Sequence, residues 1–205
     1  MPICGAPWQG HWITSPAQTA IDLAGILTFM KAVIALDQAP WAKRSGGALT
    51  DVAALRSVAV RAPMRAAARV LSGIDFATPL SDSVRETQSR VLIDRMGFPA
   101  PVLQQRFDLP SGRVARPDFF FEDHGHAGEF DGVGKYLDPL ILRGRTPEEA
   151  LIEEKDRADE LVRVVRGLSR WRTPALRDPR QLYDILAGAG LPTRRPRPRL
   201  GQHWA

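Results

Sequence analysis

The stretch RVARPDFFFEDHGHAGEFD, residues 113–131, contains the pattern that decides the fold of this chain. Two segments of strand-forming residues flank a short polar connection, which is the pattern of a β-hairpin. We expect strands over 113–121 and 126–131, joined by a four-residue loop. In that register Phe121 is directly opposite His126. The hairpin predicts that this part of the chain forms a β-sheet.

The same register separates the side chains into an aromatic face and an acidic face. It places Asp118 directly opposite Glu129, and the Cβ atoms of such a pair lie about 4.5–5.5 Å apart. Asp131 shares their face because side chains alternate along a strand. Two carboxylates this close repel each other unless a cation lies between them or one of them keeps its proton. The other face carries Phe119, Phe121 and Phe130. An oxygen-only cluster of this kind is typical of a Mg²⁺ or Mn²⁺ site.

A metal in such a cluster could activate water for attack on a phosphodiester, and this chemistry also uses a cationic side chain. Two lysines are candidates. Lys135 follows Asp131 by four residues. Lys155 lies on the helical stripe that we expect to face inward, together with Leu151, Ala158 and Val162. The alternative is a structural role, because the same register brings Asp131 opposite Arg116 and an ordinary ion pair would explain part of the cluster. Lys155 could equally extend to solvent along the helix surface or pair with Asp159 one turn on.

Helices and further strands are predicted around the hairpin. Thr146-Pro147-Glu148-Glu149 is a strong helix opening, with a hydroxyl cap, a proline at the first position and a glutamate that closes a capping box. The other predicted elements are a helix from 81 or 82 to 96, strands over 102–109 and 168–171, and a helix over 179–187. The fold class is therefore α/β, a three-layer arrangement of a mixed sheet flanked by helices.

The N-terminal part reads as a small helical region that contains no candidate catalytic residue. We expect helices over 17–36, from Thr50-Asp51 onward, and over 64–71, with a loop at Ser45-Gly46-Gly47. The predicted division is a helical region at 1–72, a linker at 73–82, an α/β domain at 83–190 and a disordered tail at 191–205.

Composition limits the possible functions. With 205 residues, 44% hydrophobic and 25% charged, the chain is long enough to bury a core. It has no apolar run of about 18 residues, no signal-peptide pattern and a single cysteine, so we expect a cytoplasmic protein without membrane contact. The net charge is +5, and residues 191–205 contribute four arginines and no acid. This tail would attract phosphate backbones in a salt-dependent way, or serve only as a solvated terminus.

Several motifs in this order resemble a known nuclease superfamily. The segments SDSVRETQSRVL, GFPAPVLQQ, RPDFFF, GEFDGVGKY and EEKDRADEL are similar to the very-short-patch-repair endonuclease-like branch of the PD-(D/E)XK nucleases. The resemblance implies a divalent-metal site, with Mg²⁺ or Mn²⁺, that cleaves DNA. By position, Glu86 resembles the first-helix acid, Asp118 the acid of the PD element and Glu129 the acid of (D/E)XK. The lysine expected two residues after Glu129 is Asp131, and Lys155 or Lys135 would have to replace it.

The N-terminal stretch WITSPAQTAIDLA resembles the helical region of AbiEi-type antitoxin-like proteins, which are bacterial transcriptional regulators. That resemblance implies DNA as a partner, together with a cognate toxin or another protein. Two functions follow. The first is a Mg²⁺-dependent endodeoxyribonuclease, a hydrolase that uses the acidic cluster. The second is a catalytically inactive regulator that keeps the nuclease fold for DNA or partner binding. A purely structural role, with the acids in ion pairs, is the third alternative.

Overall fold

The computed structural model describes residues 5–61, 64–132 and 146–201. The chain divides into two compact units, one through Val91 and one from Leu92 onward. The division falls inside a helix, and not at the linker predicted over 73–82. Within the described ranges, no helix is long and apolar enough to cross a membrane.

The first unit begins with a β-hairpin, which corrects the prediction of a wholly helical region over 1–72. Strands β1 (Gly5–Trp8) and β2 (His11–Thr14) are antiparallel. Gln9 and Gly10 form the connecting turn, and both have positive φ, at 45° and 81°. A two-residue turn of this kind matches the twist of paired strands, so it closes the hairpin locally.

Helices make up the rest of this unit: α1 (Pro16–Ile26), α2 (Phe29–Gln38), α3 (Val52–Ala59), α4 (Met64–Phe76) and α5 (Val84–Arg95), the last crossing into the second unit. The single helix predicted over 17–36 is two helices, because Leu27 and Thr28 both have extended backbone and Thr28 is the N-cap of α2. The apolar spacing continues across this break, so periodicity alone did not reveal it. Helix α4 ends at Phe76, inside the predicted linker.

The core of the first unit is built from small and aliphatic side chains. Alanines on the buried side of α1, such as Ala20 and Ala24, let the neighbouring helices approach closely. Leu36, Leu55 and Val70 from the next three helices are each no more than 1% exposed. These residues belong to one continuous hydrophobic cluster.

A mixed four-stranded sheet organises the second unit. In their order across the sheet, its strands are β3 (Val102–Leu103), β6 (Phe119–Phe121), β7 (His126–Phe130) and β8 (Gly167–Trp171). Strand β6 pairs antiparallel with both β3 and β7, whereas β7 and β8 are parallel. The mixed α/β architecture predicted from the sequence is therefore confirmed.

The predicted hairpin register is also confirmed. Phe121 is opposite His126, and Phe119 is opposite Gly128. The aromatic face is buried, with Phe119 at 0% and Phe121 at 1% exposure. Phe119 stacks on Trp171 of β8 at 5.3 Å between ring centroids. A side chain at position 128 would collide with that indole at 2.7 Å, so the close packing requires glycine there.

Two of the predicted strands are interrupted. The strand expected over 102–109 breaks at Gln104, whose φ is +54°. The strand expected over 113–121 breaks at Pro117, which cannot donate to a ladder. The freed segments, β4 (Phe107–Asp108) and β5 (Val114–Ala115), pair with each other in a separate antiparallel ribbon.

Helices α6 (Pro147–Val164), α7 (Thr173–Arg177) and α8 (Pro179–Gly188) complete the second unit. Helix α6 starts with the predicted capping box between Thr146 and Glu149. The tail was predicted to be disordered from 191 onward, and for residues 191–201 that is wrong. Leu191 is 3% exposed, and the hydroxyl of Thr193 donates to the carbonyl of Met96 at 2.6 Å.

Candidate functional site

The acidic residues of the hairpin lie where strand β6 begins and strand β7 ends. Glu129 is in β7 and is 9% exposed. Asp118 immediately precedes β6, and its Oδ2 accepts a hydrogen bond from the backbone N–H of Phe130 at 2.8 Å. The Asp118 carboxylate thus binds the backbone of β7 just before the backbone pairing of β6 begins. The observed register pairs Phe119 with Gly128, and the Asp118 side chain reaches β7 at the backbone of Phe130. That Asp118 lies directly opposite Glu129 stays a prediction.

Both carboxylate oxygens of Glu129 are bound by arginines. Arg157, on α6, donates from Nη2 to Oε1 at 3.0 Å, and Arg170, on β8, donates from Nε to Oε2 at 2.9 Å. Arg170 is the parallel cross-strand neighbour of Glu129. Arg157 also binds Glu154, one helical turn earlier, through Nε at 2.9 Å. Two guanidinium groups therefore take the position in which a metal was expected.

Asp131 has a third guanidinium group as its partner. Arg172 donates from Nε to Oδ2 of Asp131 at 2.8 Å, next to the Glu129–Arg170 pair. Arg170 and Arg172 are two residues apart, so strand alternation directs both to the same side of the sheet. The ion pair expected from the sequence was with Arg116; the observed partner is Arg172 because β8 is the neighbour of β7.

The pKa of Arg157 reflects this arrangement. Burial by itself would lower the pKa of its guanidinium group, but hydrogen bonds and charge interactions with Glu154 and Glu129 raise it above the ordinary value. Arg157 is thus a permanent cation against Glu129. We refer to Asp118, Glu129, Asp131, Glu154, Arg157, Arg170 and Arg172 as the arginine–carboxylate cluster. It has one more carboxylate than guanidinium groups.

The cluster as arranged does not fit a divalent metal. In the part of the chain that the structure describes, no three histidine, cysteine, aspartate or glutamate side chains are grouped so that they could hold a metal ion. Mg²⁺ prefers oxygen ligands in octahedral geometry. Glu129, the central predicted ligand, already has both oxygens in hydrogen bonds to arginine. A metal would have to displace at least one guanidinium group to reach it.

The expected lysine is not part of the cluster. Lys155 is exposed on α6, and the stripe that we expected to face inward is displaced by about one residue. Val162 from that stripe is 51% exposed, whereas Leu161 is fully buried. The inward face carries Ala158 and Leu161, which places Arg157, and not Lys155, beside β7. Lys135 lies outside the described residues.

Glu86 stabilises its own helix. It lies in the first turn of α5 and is 5% exposed. Its Oε2 accepts from the backbone N–H of Asp82 at 2.8 Å, and its Oε1 accepts from the hydroxyl of Ser83 at 2.8 Å. This is a capping arrangement, which satisfies groups that a helix start leaves without partners. A catalytic role for Glu86 remains a prediction.

Arg157, Arg170 and Arg172 are the site residues that the sequence analysis missed. A signal was present in the alternation of Arg170-Trp171-Arg172 on a predicted strand, which puts two cations on one face and an indole on the other. Using that signal would have required the pairing of β8 with β7. Parallel pairing between strands so distant in sequence is determined by tertiary packing, and no local turn sequence indicates it.

The fold and the cluster define a mixed α/β protein whose sheet carries paired arginines and carboxylates at its acidic face. In sequence, the chain is similar to the uncharacterized protein Rv2248 of Mycobacterium tuberculosis strain ATCC 25618 / H37Rv and to the uncharacterized protein MT2308 of strain CDC 1551 / Oshkosh. The identity is 29% over 139 residues, which cover 67% of this chain. The chain spans about half the length of these curated relatives. No family model and no solved structure matches it.

Proposed function

We propose that this protein is a DNA-binding regulator that retains a nuclease-like fold without hydrolysing phosphodiesters. The observation that carries the proposal is the pairing of Glu129 with Arg157 and Arg170. In this arrangement guanidinium groups neutralise the acid that the nuclease resemblance assigns to metal binding. Asp131, at the position of the expected lysine, is neutralised in the same way by Arg172.

The energetic argument rests on burial. The side chains of Arg157 and Glu129 are 22% and 11% exposed. Breaking a buried ion pair by removing one partner costs about 3–5 kcal/mol, because a charge is left without compensation in a poorly hydrated place. A metal ion that binds Glu129 must displace an arginine, so its binding free energy must first offset the cost of breaking that ion pair. The burial of these side chains therefore favours permanent ion pairs among them over the binding of a metal ion that exchanges during turnover.

The first prediction follows directly. Incubation of supercoiled plasmid with the protein in millimolar Mg²⁺ or Mn²⁺ should give no nicked or linear product. The same ions should leave the melting temperature unchanged, because a ligand stabilises a protein only when it binds the folded state. Asp118→Asn is the matched control: cleavage by the wild type that this variant lacks would overturn the proposal in favour of a nuclease.

A second candidate function, the metal-dependent endonuclease, is favoured by one specific observation. The hairpin pairs Phe119 with Gly128, and the same register extended by one residue would bring Asp118 opposite Glu129. Arg170 and Arg172 are 41% and 64% exposed, so both side chains have room to turn towards solvent. If Mg²⁺ or Mn²⁺ raised the melting temperature of the wild type but not of Asp118→Asn, the endonuclease would become the leading function.

A further inference from the structure

The hairpin of β1 and β2 presents apolar side chains to solvent. Trp12 is 79% exposed, Trp8 is 55% exposed and Ile13 is 44% exposed. In the described part of the chain, β1 and β2 form a sheet of two strands and pair with no third strand. A two-stranded sheet by itself is at best marginally stable in water. Exposed apolar side chains grouped on one element are typical of an interaction surface. The hairpin is therefore a candidate for pairing with a further strand.

The two outer edges of this hairpin differ. Because the turn has two residues, Trp8 and His11 are a hydrogen-bonded pair, and Pro7 and Trp12 are the next, non-hydrogen-bonded pair. Residues of a non-hydrogen-bonded pair direct their backbone N–H and C=O groups outward. Pro7 has no N–H, so the outer edge of β1 lacks a donor there. Trp12 has both groups, and β2 contains no proline, lysine, arginine or carboxylate that would protect its edge from pairing.

The edge of β2 is accessible at its centre. The indole of Trp12 extends over its own hairpin, since a Cβ atom at Gly5 would lie 3.3 Å from its Cε3. Gly5 belongs to β1, so the indole leans away from the outer edge of β2 and leaves the backbone groups of that edge clear. The edge is four residues long, which matches a strand of the same length.

Charge restricts which partner can approach this edge. Between Gly5 and Ile21 the sequence contains no aspartate, glutamate, lysine or arginine, whereas the whole chain has a net charge of +5. Two copies of a basic protein repel each other where basic surfaces meet, and an uncharged strip lets them approach without opposing like charges. A polyanion such as nucleic acid would instead select basic surface. The hairpin thus fits a second copy of this chain better than a charged partner.

We propose that β2 pairs through its outer edge with β2 of a second copy, antiparallel about a two-fold axis beside Trp12. The backbone N–H of each Trp12 donates to the carbonyl of the other, and the two hairpins form one four-stranded sheet. The two indoles are cross-strand neighbours on one face, and on the other face Ile13 of each copy is opposite His11 of the partner subunit. The interface is self-complementary, because the same strand meets itself.

The dimer should be weak. Two strands of four residues bury much less than the about 1,200 Å² at which stable interfaces begin, so the dissociation constant should be about micromolar or higher. Sedimentation equilibrium of the full chain over about 1–500 µM covers this range of affinity.

Two variants of the full chain test the pairing edge. Trp12→Lys introduces two like charges directly opposite each other across the two-fold axis, which destabilises the pair of strands. Trp8→Lys is the matched control, because it makes the same change at the other exposed indole of the hairpin, on β1 and away from the pairing edge. Circular dichroism and melting temperatures verify that both variants are folded.

The wild type and Trp8→Lys should dimerise with similar dissociation constants. Trp12→Lys should raise the dissociation constant by about 10-fold or more, since a like-charge pair replaces the contact between two indoles. A wild type that stays monomeric over the whole concentration range would overturn the inference, and so would a dimer that both variants weaken equally.

Two other occupants of the hairpin are distinguished in the same experiment. A monomeric wild type that binds a single-stranded oligonucleotide, with binding lost in both variants, would overturn the inference and assign the indoles to base stacking. A monomeric wild type whose tryptophan fluorescence shifts to the blue with phosphatidylcholine vesicles would overturn it in favour of a membrane surface.

Discussion

At the scale of single residues, Gly97 joins the end of α5 to residues 191–201, which we call the docked segment, because its carbonyl accepts a hydrogen bond from the backbone N–H of Arg194 at 3.0 Å. It has φ +74° and follows α5 in a Schellman arrangement, in which Phe98 N–H donates to Ile93 and Gly97 N–H to Asp94. A Cβ atom at this position would lie 3.1 Å from Cγ of Arg195 and 3.3 Å from N of Arg194. Glycine is therefore required for two reasons: its φ is positive, and the docked segment leaves no room for a Cβ atom.

Gly97→Ala should destabilise the protein by more than Gly190→Ala does. Gly190 closes α8 with the same arrangement at φ +82°, and nothing lies within 4 Å of its added Cβ. Both variants carry the strain of a left-handed alanine, about 1–3 kcal/mol. Only Gly97→Ala should also displace the docked segment and expose the bond after Arg194 to trypsin. Urea denaturation and limited proteolysis check this, and equal behaviour of the two variants would contradict it.

At the scale of elements, helix α6 is tied to the turn between β4 and β5 by Glu160. Its carboxylate accepts from the backbone N–H of Ser111 at 3.0 Å and forms an ion pair with Arg113. The hydrogen bond from Arg113 first, and then those from Ser111, hold the pKa of Glu160 at about 2, below its ordinary value of 4.5. Behind this turn, Leu161 packs with Leu109 and Ala115.

This pKa shift makes a contribution to stability that depends on pH. The folded-state pKa is lowered, so the contribution is complete above about pH 4.5 and is lost as the pH falls towards 2. Glu160→Gln should therefore melt below the wild type at neutral pH, and the difference should disappear near pH 2. Asp108→Asn is the control, because its pair with Arg106 is exposed and should contribute little. A Glu160→Gln deficit that persists at pH 2 would contradict the assignment.

At the scale of the whole molecule, a buried carboxylate in each of the two units is paired with an arginine of the same unit. In the first unit Asp37 is fully buried and binds Arg90 through both oxygens, at 3.0 and 2.7 Å. Asp37 also accepts from the hydroxyl of Thr87 and from the backbone N–H of Thr78, each at 2.7 Å. These contacts join α2 to α5 and to the chain that follows α4. Arg90 lies over the ring of Phe76 at 4.3 Å.

Removal of the charge at Asp37 should be among the most damaging single changes in this unit. Asp37→Asn leaves the guanidinium group of Arg90 buried without a counter-charge, which costs about 3–5 kcal/mol. That is a large part of a typical stability of about 5–15 kcal/mol. Asp75→Asn breaks the exposed pair with Arg56 and should cost about 0–1 kcal/mol. Circular dichroism measured during urea denaturation gives the unfolding midpoint of each variant. Equal midpoints would show that the buried ion pair contributes no more to stability than the exposed one.

The sequence by itself determined the features that depend on neighbouring residues. The capping box at Thr146, the hairpin register through Phe121 and His126, and the aromatic face of β6 all follow from spacing within a few residues. The mixed α/β class followed from the order of such elements. Each of these features is specified by local hydrogen bonding or by alternation, so the sequence pattern contains the physical cause.

Only the tertiary structure decided what surrounds Glu129 and where the last segment lies. The partners Arg157 and Arg170 are 28 and 41 residues from Glu129, and they meet it because β8 pairs in parallel with β7 and α6 packs through Leu161. The buried face of α6 was predicted one residue away from its observed position, because Ala158 lies on both the predicted and the observed face. The docked segment lacks apolar periodicity, and it is held by one backbone hydrogen bond from Arg194 to Gly97 and by side-chain hydrogen bonds from Thr193 and Arg195 to Met96 and Arg95. Contacts between distant segments are selected by packing of the whole unit, which no local pattern encodes.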